Sequence, residues 1–386
     1  MIASRMADIE PFHVMEILNR AKQLEAMGKS VIHLEIGEPD FPTPQPIVEA
    51  GITSMSKGNI HYTPAAGIPA LREAIAYYYQ QHYRVEVDPE RVFITAGASG
   101  ALLLALGVLV SPGDEVLLAD PGYPCNRHFI RLLEGTPVNI PVGPETDYQL
   151  SADLIKANWH ERTIGSLIAS PSNPTGTVIP PEEIKKIADT IKKRNGQLIV
   201  DEIYQGLTYD VDASTVLSIT PDVFVINSFS KYFQMTGWRL GWLIAPKGYE
   251  REVEKLAQNI FIAPSTPAQY AALAAFQTST LQILEERREQ FHARRDFLLP
   301  ALRELGFSIP VQPSGAFYLY ADCTKFTDDS FIFAQTLLEK AYVAITPGKD
   351  FGYYLAEKHL RFAYTTDLNR LSEAVVRINQ FVKTSS

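Results

Sequence analysis

The sequence predicts an α/β protein. A large domain with a mostly parallel central sheet flanked by helices is joined to a smaller α+β domain. Three observations support this prediction. Short apolar runs alternate with segments of helical periodicity, the runs are apolar at every position, and the pattern changes after about residue 250. Alternating strands and helices are typical of βαβ units, and strands that are apolar on both faces indicate a buried parallel sheet.

The elements of the large domain begin with a helix that opens at Pro69 and places Leu71, Ile75 and Tyr78 on one face. A second amphipathic helix opens at Pro181. Five β-rich runs are interleaved with helical segments, and each run ends in a polar or Gly/Pro-rich turn. We place these strands at residues 91–95, 115–119, 166–169, 197–200 and 223–226.

Ligands of such sheets bind beyond the carboxyl ends of the strands. The polar residues that follow the predicted strands should therefore converge on one crevice. They are Ser99, Asp120, Tyr123, Asn173, Asp201, Tyr204, Ser228 and Lys231.

The C-terminal part begins with a long charged helix, predicted from about residue 281 to residue 305, with Pro300 as a kink or an early stop. Short β-like runs follow at residues 316–319 and 359–363. We place the domain boundary near residue 285. Residues 46–285 then form the large domain, and residues 1–45 join residues 286–386 in the small one.

Composition and charge exclude several classes of protein. With 46% hydrophobic and 20% charged residues the chain is not intrinsically disordered, and two cysteines are too few for a disulfide scaffold. A net charge of −9 argues against a nucleic-acid-binding surface. The longest apolar run, at residues 101–110, is shorter than the roughly 20 residues that span a bilayer. Residues 1–8 show no signal-peptide core, so we expect a cytoplasmic protein of enzyme size.

The segment 228–242 is the strongest candidate for chemistry. It places Lys231 just beyond an apolar strand, with Ser228 and Ser230 before it and Arg239 after it. A lysine at a strand end can be partly desolvated, which lowers its pKa and frees the amine as a nucleophile. Two hydroxyls and a guanidinium nearby can hold a phosphate. An isolated lysine next to a serine is usually a solvated surface residue, but the strand position and the spacing favour the functional interpretation.

This segment resembles the lysine motif of the class I/II aminotransferases, which are pyridoxal-phosphate enzymes of fold type I in the aspartate aminotransferase superfamily. The resemblance extends from Gly37 to Arg361, and separate motifs follow one another in the family's order. Besides the lysine segment, they lie at residues 37–40, 97–99, 120–124, 171–176 and 201–204.

The resemblance implies roles for the residues around the cofactor ring. Lys231 would form the imine with the cofactor aldehyde and later move the proton, and Asp201 would pair with the pyridine nitrogen. A carboxylate there keeps that nitrogen protonated, so that the ring accepts electrons. Tyr204 and Asn173 would hydrogen-bond the phenolic oxygen of the ring, and Tyr123 would stack on it.

Several of these residues also have a plainer interpretation. Asp201 is suited to cap a helix that follows the strand. Asn173, between two prolines, is suited to an Asx turn, and Tyr123 to the hydrophobic core. Ser230 is suited to orienting the loop rather than to binding.

The resemblance also implies a phosphate site, a shared active site and a carboxylate site. The phosphate would be held by Gly97, Ala98, Ser99, Ser228, Ser230 and Arg239, since a helix N-terminus presents free N–H groups to an anion. Tyr62 would reach the phosphate from the neighbouring subunit, which implies a homodimer. Arg361, whose planar fork suits a carboxylate, would bind the substrate α-carboxylate beside the backbone of Gly37 and the side chain of Asn173.

The chemistry of the substrate side chain stays open at this point. Relatives that prefer dicarboxylates usually carry a second basic residue, and the phosphate loop of this chain has Ser99 instead of a lysine. Phe12, Tyr318 and Tyr232 are candidates for an apolar pocket. A neutral or aromatic amino donor is therefore as plausible as aspartate. Arg127, His128 and Arg131 lie near Tyr123 in sequence and are expected on a helix.

We therefore expect an aminotransferase that uses pyridoxal 5′-phosphate and moves an amino group between an amino acid and a 2-oxo acid in a ping-pong reaction. The alternative is a lyase or synthase on the same fold, similar to C–S lyases or to aminocyclopropane-carboxylate synthase. A transcription regulator with an aminotransferase-like domain is disfavoured, because few residues precede Gly37 and the net charge is negative. The prolines at residues 38–46 argue against a helix and favour an extended segment. We interpret this stretch as a crossing between the domains and a wall of the site.

Overall fold

The computed structural model describes residues 2–58, 60–212 and 214–384. The α-helices in these ranges are α1 His13–Ala26, α2 Gln45–Ser56, α3 Pro69–Tyr83, α4 Gly97–Leu109, α5 Pro124–Leu132, α6 Ala152–Ala157, α7 Pro181–Lys192, α8 Glu250–Ile260, α9 Thr266–Leu273, α10 Thr278–Leu305, α11 Ser330–Ala341 and α12 Leu368–Thr384. The strands are β1 Ile32–His33, β2 Val92–Thr95, β3 Glu115–Asp120, β4 Thr136–Pro141, β5 Thr163–Ala169, β6 Gln197–Asp201, β7 Phe224–Ser228, β8 Gly241–Ile244, β9 Tyr318–Asp322, β10 Val343–Ala344, β11 Thr346–Pro347 and β12 His359–Ala363.

Seven strands form the central sheet, in the order β2–β8–β7–β6–β5–β3–β4. Only β8 runs antiparallel to its neighbours. Successive side chains of a strand enter different hydrophobic clusters: Leu198 and Val200 belong to one cluster, and Ile199 belongs to the other. Both faces of the sheet are thus buried under helices, and the α/β fold class is confirmed.

Each of the five strands predicted for the large domain is present, while two further strands were not foreseen. The edge strand β4 holds two prolines, Pro137 and Pro141, and only one of its six residues is buried, so it lacks the apolar signal of the central strands. The antiparallel strand β8 has four buried residues and follows the lysine segment directly, without a turn-rich break.

Two smaller sheets lie apart from the central one. Strand β1, near the start of the chain, pairs in parallel with β10, and β9, β12 and β11 form an antiparallel sheet. The run predicted at residues 359–363 is β12, and the run predicted at residues 316–319 begins later, as β9. The division near residue 285 stays a prediction, and that residue lies inside α10.

Two helix predictions need correction. Helix α10 continues past Pro300 and ends before Gly306, whose φ of 104° suits a glycine C-cap, so an early stop at the proline is wrong. The Pro-rich stretch was expected to exclude a helix, yet α2 begins at Gln45 with Pro46 in its first turn, where no N–H is needed. Helix α1 was not foreseen, although Ile17, Ala21 and Leu24 are spaced to bury one face.

Within the described ranges, every helix is too short or too polar to cross a membrane.

Candidate active site

A cavity of about 490 Å³ lies at the carboxyl ends of β5, β6 and β7. All but two of the predicted site residues line it. The lining members are Gly37, Ala98, Ser99, Tyr123, Asn173, Asp201, Tyr204, Ser228, Ser230, Lys231, Arg239 and Arg361. The exceptions are Gly97, which lies directly beside the cavity, and Tyr62.

Lys231 stands three residues beyond the end of β7 and is partly buried. Its Nζ donates a hydrogen bond to the carbonyl of Gly37 at 2.5 Å. Burial lowers the pKa of Lys231 to about 8. The carboxylate of Glu38 opposes this shift more strongly than that of Asp201, whereas the charges of Arg361 and Arg239 add to it. A substantial fraction of the amine is therefore neutral near neutral pH, as a nucleophile requires.

Asp201 is the last residue of β6 and is 4% exposed. Its Oδ1 accepts the N–H of Ile203 at 3.0 Å. Burial raises the pKa of Asp201 to about 6, against the lowering effects of that N–H and of Lys231. Turns rather than a helix follow the strand, so the helix-capping interpretation of Asp201 does not hold.

An anion cradle is formed by the first turn of α4 and the segment after β7. Ala96, at the N-cap of α4, offers no side-chain cap, so the first N–H groups of this helix are free of such a partner. Ser228 Oγ lies 2.9 Å from Ser230 Oγ, and both residues are buried. Gly97 has a φ of +67°, and a Cβ there would lie 2.7 Å from Nη2 of Arg239. Only glycine therefore lets this guanidinium approach the helix terminus.

Arg361, in β12, is a buried cation on the other side of Lys231. It is 5% exposed, its Nη1 donates to Asn173 Oδ1 at 2.9 Å and its Nη2 donates to the carbonyl of Glu35 at 2.5 Å. Its guanidinium lies 4.3 Å from the ring centre of Tyr318, and its Nε is buried without a partner. A buried guanidinium with an unused N–H is prepared for a carboxylate ligand.

In the described part of the chain, none of the three cations that line the cavity forms an ion pair with a carboxylate. Two buried arginines elsewhere do: Arg294 pairs with Asp40 at 2.7 Å and Arg295 with Asp210 at 2.5 Å. Lys231, Arg239 and Arg361 thus concentrate positive charge in one cavity of an acidic protein. The arrangement suits a ligand with two anionic groups, or two anionic ligands.

Aromatic side chains complete the walls. The hydroxyls of Tyr204 and Tyr318 are 2.7 Å apart. A Cβ at Gly37 would lie 2.0 Å from the Tyr318 oxygen, so glycine is required at that position. Tyr123, at the N-cap of α5, has its hydroxyl 3.2 Å from Sγ of Cys125.

Tyr62 lies outside the cavity and is 85% exposed. The loop that carries it is nevertheless fixed. Thr266 Oγ1 donates to the carbonyl of His61 at 2.6 Å, and the fully buried Gln269 donates to Thr63 Oγ1 at 3.1 Å.

Two residues expected in the crevice are elsewhere. The carboxylate of Asp120 accepts the N–H groups of Tyr353 and Tyr354 and does not line the cavity. Tyr232 points its hydroxyl to Glu285 in a separate surface groove.

Phe12 and Tyr318 do line the cavity, as predicted, and Arg127, His128 and Arg131 lie on α5. The lining residues that the sequence did not indicate include Val14, Met15, Glu35, Ile36, Glu38, Leu102 and Ala169. Only Glu38 had a signal, because it stands in the motif that contains Gly37.

Comparison with known proteins agrees with this geometry. The sequence pattern of the family described as "Aminotransferase class I and II" matches residues 29–378. A valine–pyruvate aminotransferase of Mycobacterium tuberculosis is 37% identical over 97% of both chains. A (5-formylfuran-3-yl)methyl phosphate transaminase of Methanocaldococcus jannaschii is also 37% identical, over 99% of this chain and all of its own.

Among solved structures, an aminotransferase from Mycobacterium tuberculosis superposes with a TM-score of 0.95 at 37% identity, covering 100% of this chain and 99% of its own. The likeness extends over the full length in sequence and in fold. The chain therefore belongs to the class I and II aminotransferase family.

Proposed function

We propose that this aminotransferase uses pyridoxal 5′-phosphate and moves an amino group from an amino acid to a 2-oxo acid in a ping-pong reaction. The observation that carries the proposal is the position of Lys231. Its amine, with a lowered pKa, lies between an anion cradle on one side and the unpaired guanidinium of Arg361 on the other.

The residues present fit this cofactor. Lys231 would hold its aldehyde, Asp201 its ring nitrogen, and the cradle at Gly97, Ser228 and Arg239 its phosphate. Asn173 Oδ1 is used by Arg361, which leaves the amide NH₂ to donate to the phenolic oxygen together with Tyr204. When bound, the cofactor supplies an aldehyde that condenses with amines and a ring that accepts the electron pair released at the substrate α-carbon.

The side chains of this protein would bind and orient the substrate and move one proton. Arg361 offers its Nε–H and its unused Nη1–H to the α-carboxylate, between the rings of Tyr318 and Phe351. Lys231 Nζ would remove the α-proton of the substrate and deliver it to the carbon that the cofactor's aldehyde supplies, on the other side of the amino nitrogen. Its lowered pKa suits both steps, because a general base works best when its pKa is near the working pH.

We further propose that the protein is a homodimer with shared active sites. Exposed apolar side chains lie on two segments that are hydrogen-bonded to each other, Ile60 and Tyr62 on one, Ile262 and Tyr270 on the other. Large exposed apolar side chains that cluster in this way are typical of an interface. Sedimentation should show a dimer. Mixed dimers of Lys231→Ala and Tyr62→Ala chains should regain activity that neither variant has alone, and a fully active monomer would contradict sharing.

The reaction itself is tested by a single turnover. Holoenzyme is mixed with an amino acid in the absence of a 2-oxo acid, and 2-oxo acid and ammonia are measured. We expect about one 2-oxo acid per site and no ammonia, with turnover restored by 2-oxoglutarate or pyruvate. Lys231→Ala should give no product, while the matched surface variant Lys192→Ala should match the wild type. Ammonia released with pyruvate at every turnover would instead indicate the lyase alternative.

A further inference from the structure

The charges that line the cavity are few, and the proposed function uses every cation among them. Within the described residues, Lys231, Arg239 and Arg361 are the only Lys, Arg or His side chains in the lining. In the proposed function Lys231 binds the cofactor aldehyde, Arg239 binds the phosphate and Arg361 binds the substrate α-carboxylate. No cation is left for a second carboxylate on the substrate.

One wall of the cavity that also holds Arg361 is apolar. The first turn of α1 contributes Phe12, Val14 and Met15, and Ile36 follows the residue whose carbonyl binds Arg361. A carboxylate placed against these side chains would lose its hydration without gaining a hydrogen bond, which is costly. A hydrocarbon side chain would be stabilised there, because its apolar surface leaves water.

Carboxylates of the protein add a repulsive element. Glu38 lines the cavity, is held by the hydroxyl of Thr236, and is near enough to act electrostatically on Lys231. Glu35 also lines the cavity; its Oε1 is paired with His33 at 2.7 Å, and its Oε2 is buried without a partner among the described residues. Glu35 and Glu38 are therefore the acidic side chains of the lining that the proposed function does not assign to the cofactor. Like charges brought together in a site exclude the wrong ligand.

Arg127 is a buried arginine outside the lining that also has a partnerless Nε. It lies behind Tyr123 in a separate cavity of about 30 Å³. That volume holds about one or two water molecules and not a carboxylate side chain. Arg127 therefore cannot replace the missing cation.

The two segments that we assign to the dimer interface would not supply a lysine or an arginine either. In the proposed dimer the exposed apolar segments face the partner, and residues 58–71 and 256–286 contain no lysine and no arginine. A shared site built from these segments gains hydroxyl, amide, apolar and carboxylate groups, with His61 as the sole basic side chain of the two.

We infer that the preferred amino donors have neutral, apolar side chains, and that aspartate and glutamate are poor donors. This inference rests on the proposed function, which assigns Lys231, Arg239 and Arg361 to the cofactor and the α-carboxylate. It adds the substrate class and identifies the first turn of α1, with Glu38, as the surface that selects it.

The test is the rate of 2-oxo acid formation by holoenzyme with valine, leucine, methionine, phenylalanine, aspartate and glutamate. We expect the best neutral donor to exceed both acidic donors by about thirtyfold or more in kcat/KM. Aspartate or glutamate as the best donor would overturn the inference and leave the proposed function intact. Failure of every donor to yield a 2-oxo acid would instead contradict the proposed function.

A pair of variants tests the location of the selecting surface. Met15 is 47% exposed, so a polar residue there should be tolerated in folding. Met15→Arg should raise the ratio of aspartate to leucine kcat/KM by about fivefold or more, because it supplies a cation. Met15→Gln, of similar length and without charge, should change the ratio by less than twofold. An unchanged ratio in Met15→Arg would overturn the assignment of this wall.

Discussion

The phenolic oxygens of Tyr204 and Tyr318 lie 2.7 Å apart in the buried wall of the cavity. Among the described residues, neither hydroxyl has any other hydrogen-bond partner. The pair joins the two ends of the site, because Tyr204 faces the proposed cofactor position and the ring of Tyr318 lies against Arg361.

Removal of one hydroxyl should leave the other buried and unpaired. We expect Tyr204→Phe and Tyr318→Phe each to lower the free energy of unfolding of the apoprotein by about 1–2 kcal/mol, because an unsatisfied buried hydroxyl carries its desolvation cost. The double variant should lose less than the sum, by about 1 kcal/mol. Urea unfolding of the four proteins measures this, and strict additivity would contradict the coupling.

The pKa of Lys231 gives a prediction for cofactor capture. The amine must be neutral to react, so the rate at which apoprotein takes up pyridoxal phosphate should rise with pH around a midpoint of about 8. Glu38→Gln removes a charge that raises this pKa, so the midpoint should move to lower pH and capture at pH 7 should be faster. Stopped-flow absorbance checks both. The exposed Glu161→Gln is the control, and a midpoint unmoved by Glu38→Gln would refute the coupling.

Glu202 gives a prediction for stability. It is buried, it accepts hydrogen bonds from the hydroxyl of Thr215 and the N–H of Val216, and burial raises its pKa from 4.5 to about 7. Because the pKa of Glu202 is higher in the folded state, the protonated side chain stabilises the folded protein fully below pH 4.5. This stabilisation is lost as the pH rises through 7. The loss is about 3 kcal/mol.

Urea unfolding of apoprotein between pH 5 and pH 8 tests this. Glu202→Gln stays neutral and keeps an acceptor for Val216, so the free energy of unfolding should fall less steeply with pH than in the wild type. Part of the wild-type slope should remain in the variant, because Asp201 is also buried with a raised pKa. Equal slopes for the two proteins would show that Glu202 is not the titrating group.

Asp350 holds the first turn of α1, which forms the apolar wall. Its carboxylate accepts the N–H groups of His13 and Val14 at 2.7 and 2.8 Å, in place of the N-cap that Phe12 does not provide. Asp350→Ala should cost about 1 kcal/mol of stability and raise KM for a neutral donor by about tenfold, with a smaller change in kcat.

Asp329→Ala is the matched control for Asp350. Asp329 caps α11 through the N–H groups of Phe331 and Ile332 and does not line the cavity. It should lose similar stability without the change in KM. If both variants changed KM equally, a general loss of stability would explain the effect, and Asp350 would have no positioning role.

The sequence predicted best those strands and site residues that are marked by a short local pattern. Strands apolar on both faces indicated the central sheet, and the spacing around Lys231 and the residues after β6 indicated the cavity floor. The edge strand β4 was not foreseen, because its two prolines and its exposure remove the pattern that marks a buried strand.

Other features depended on contacts between distant parts of the chain. The wall formed by Phe12, Val14 and Met15 is ordinary helix sequence, and the carboxylate that holds its first turn, that of Asp350, lies more than 300 residues away along the chain. The hydrogen bonds from the N–H groups of Tyr353 and Tyr354 to Asp120 could not be predicted from the sequence either, because more than 200 residues separate the partners.

The three unpaired cations of the cavity also affect how the protein must be handled. Among the described residues none of Lys231, Arg239 and Arg361 is ion-paired with a carboxylate, so in the apoprotein these side chains attract small anions from the medium. Phosphate or sulfate in a purification buffer would act as a counter-ion at this site, stabilise the apoprotein and slow its loading. Buffers with bulky or cationic components are therefore the appropriate medium for measuring how tightly the cofactor is held.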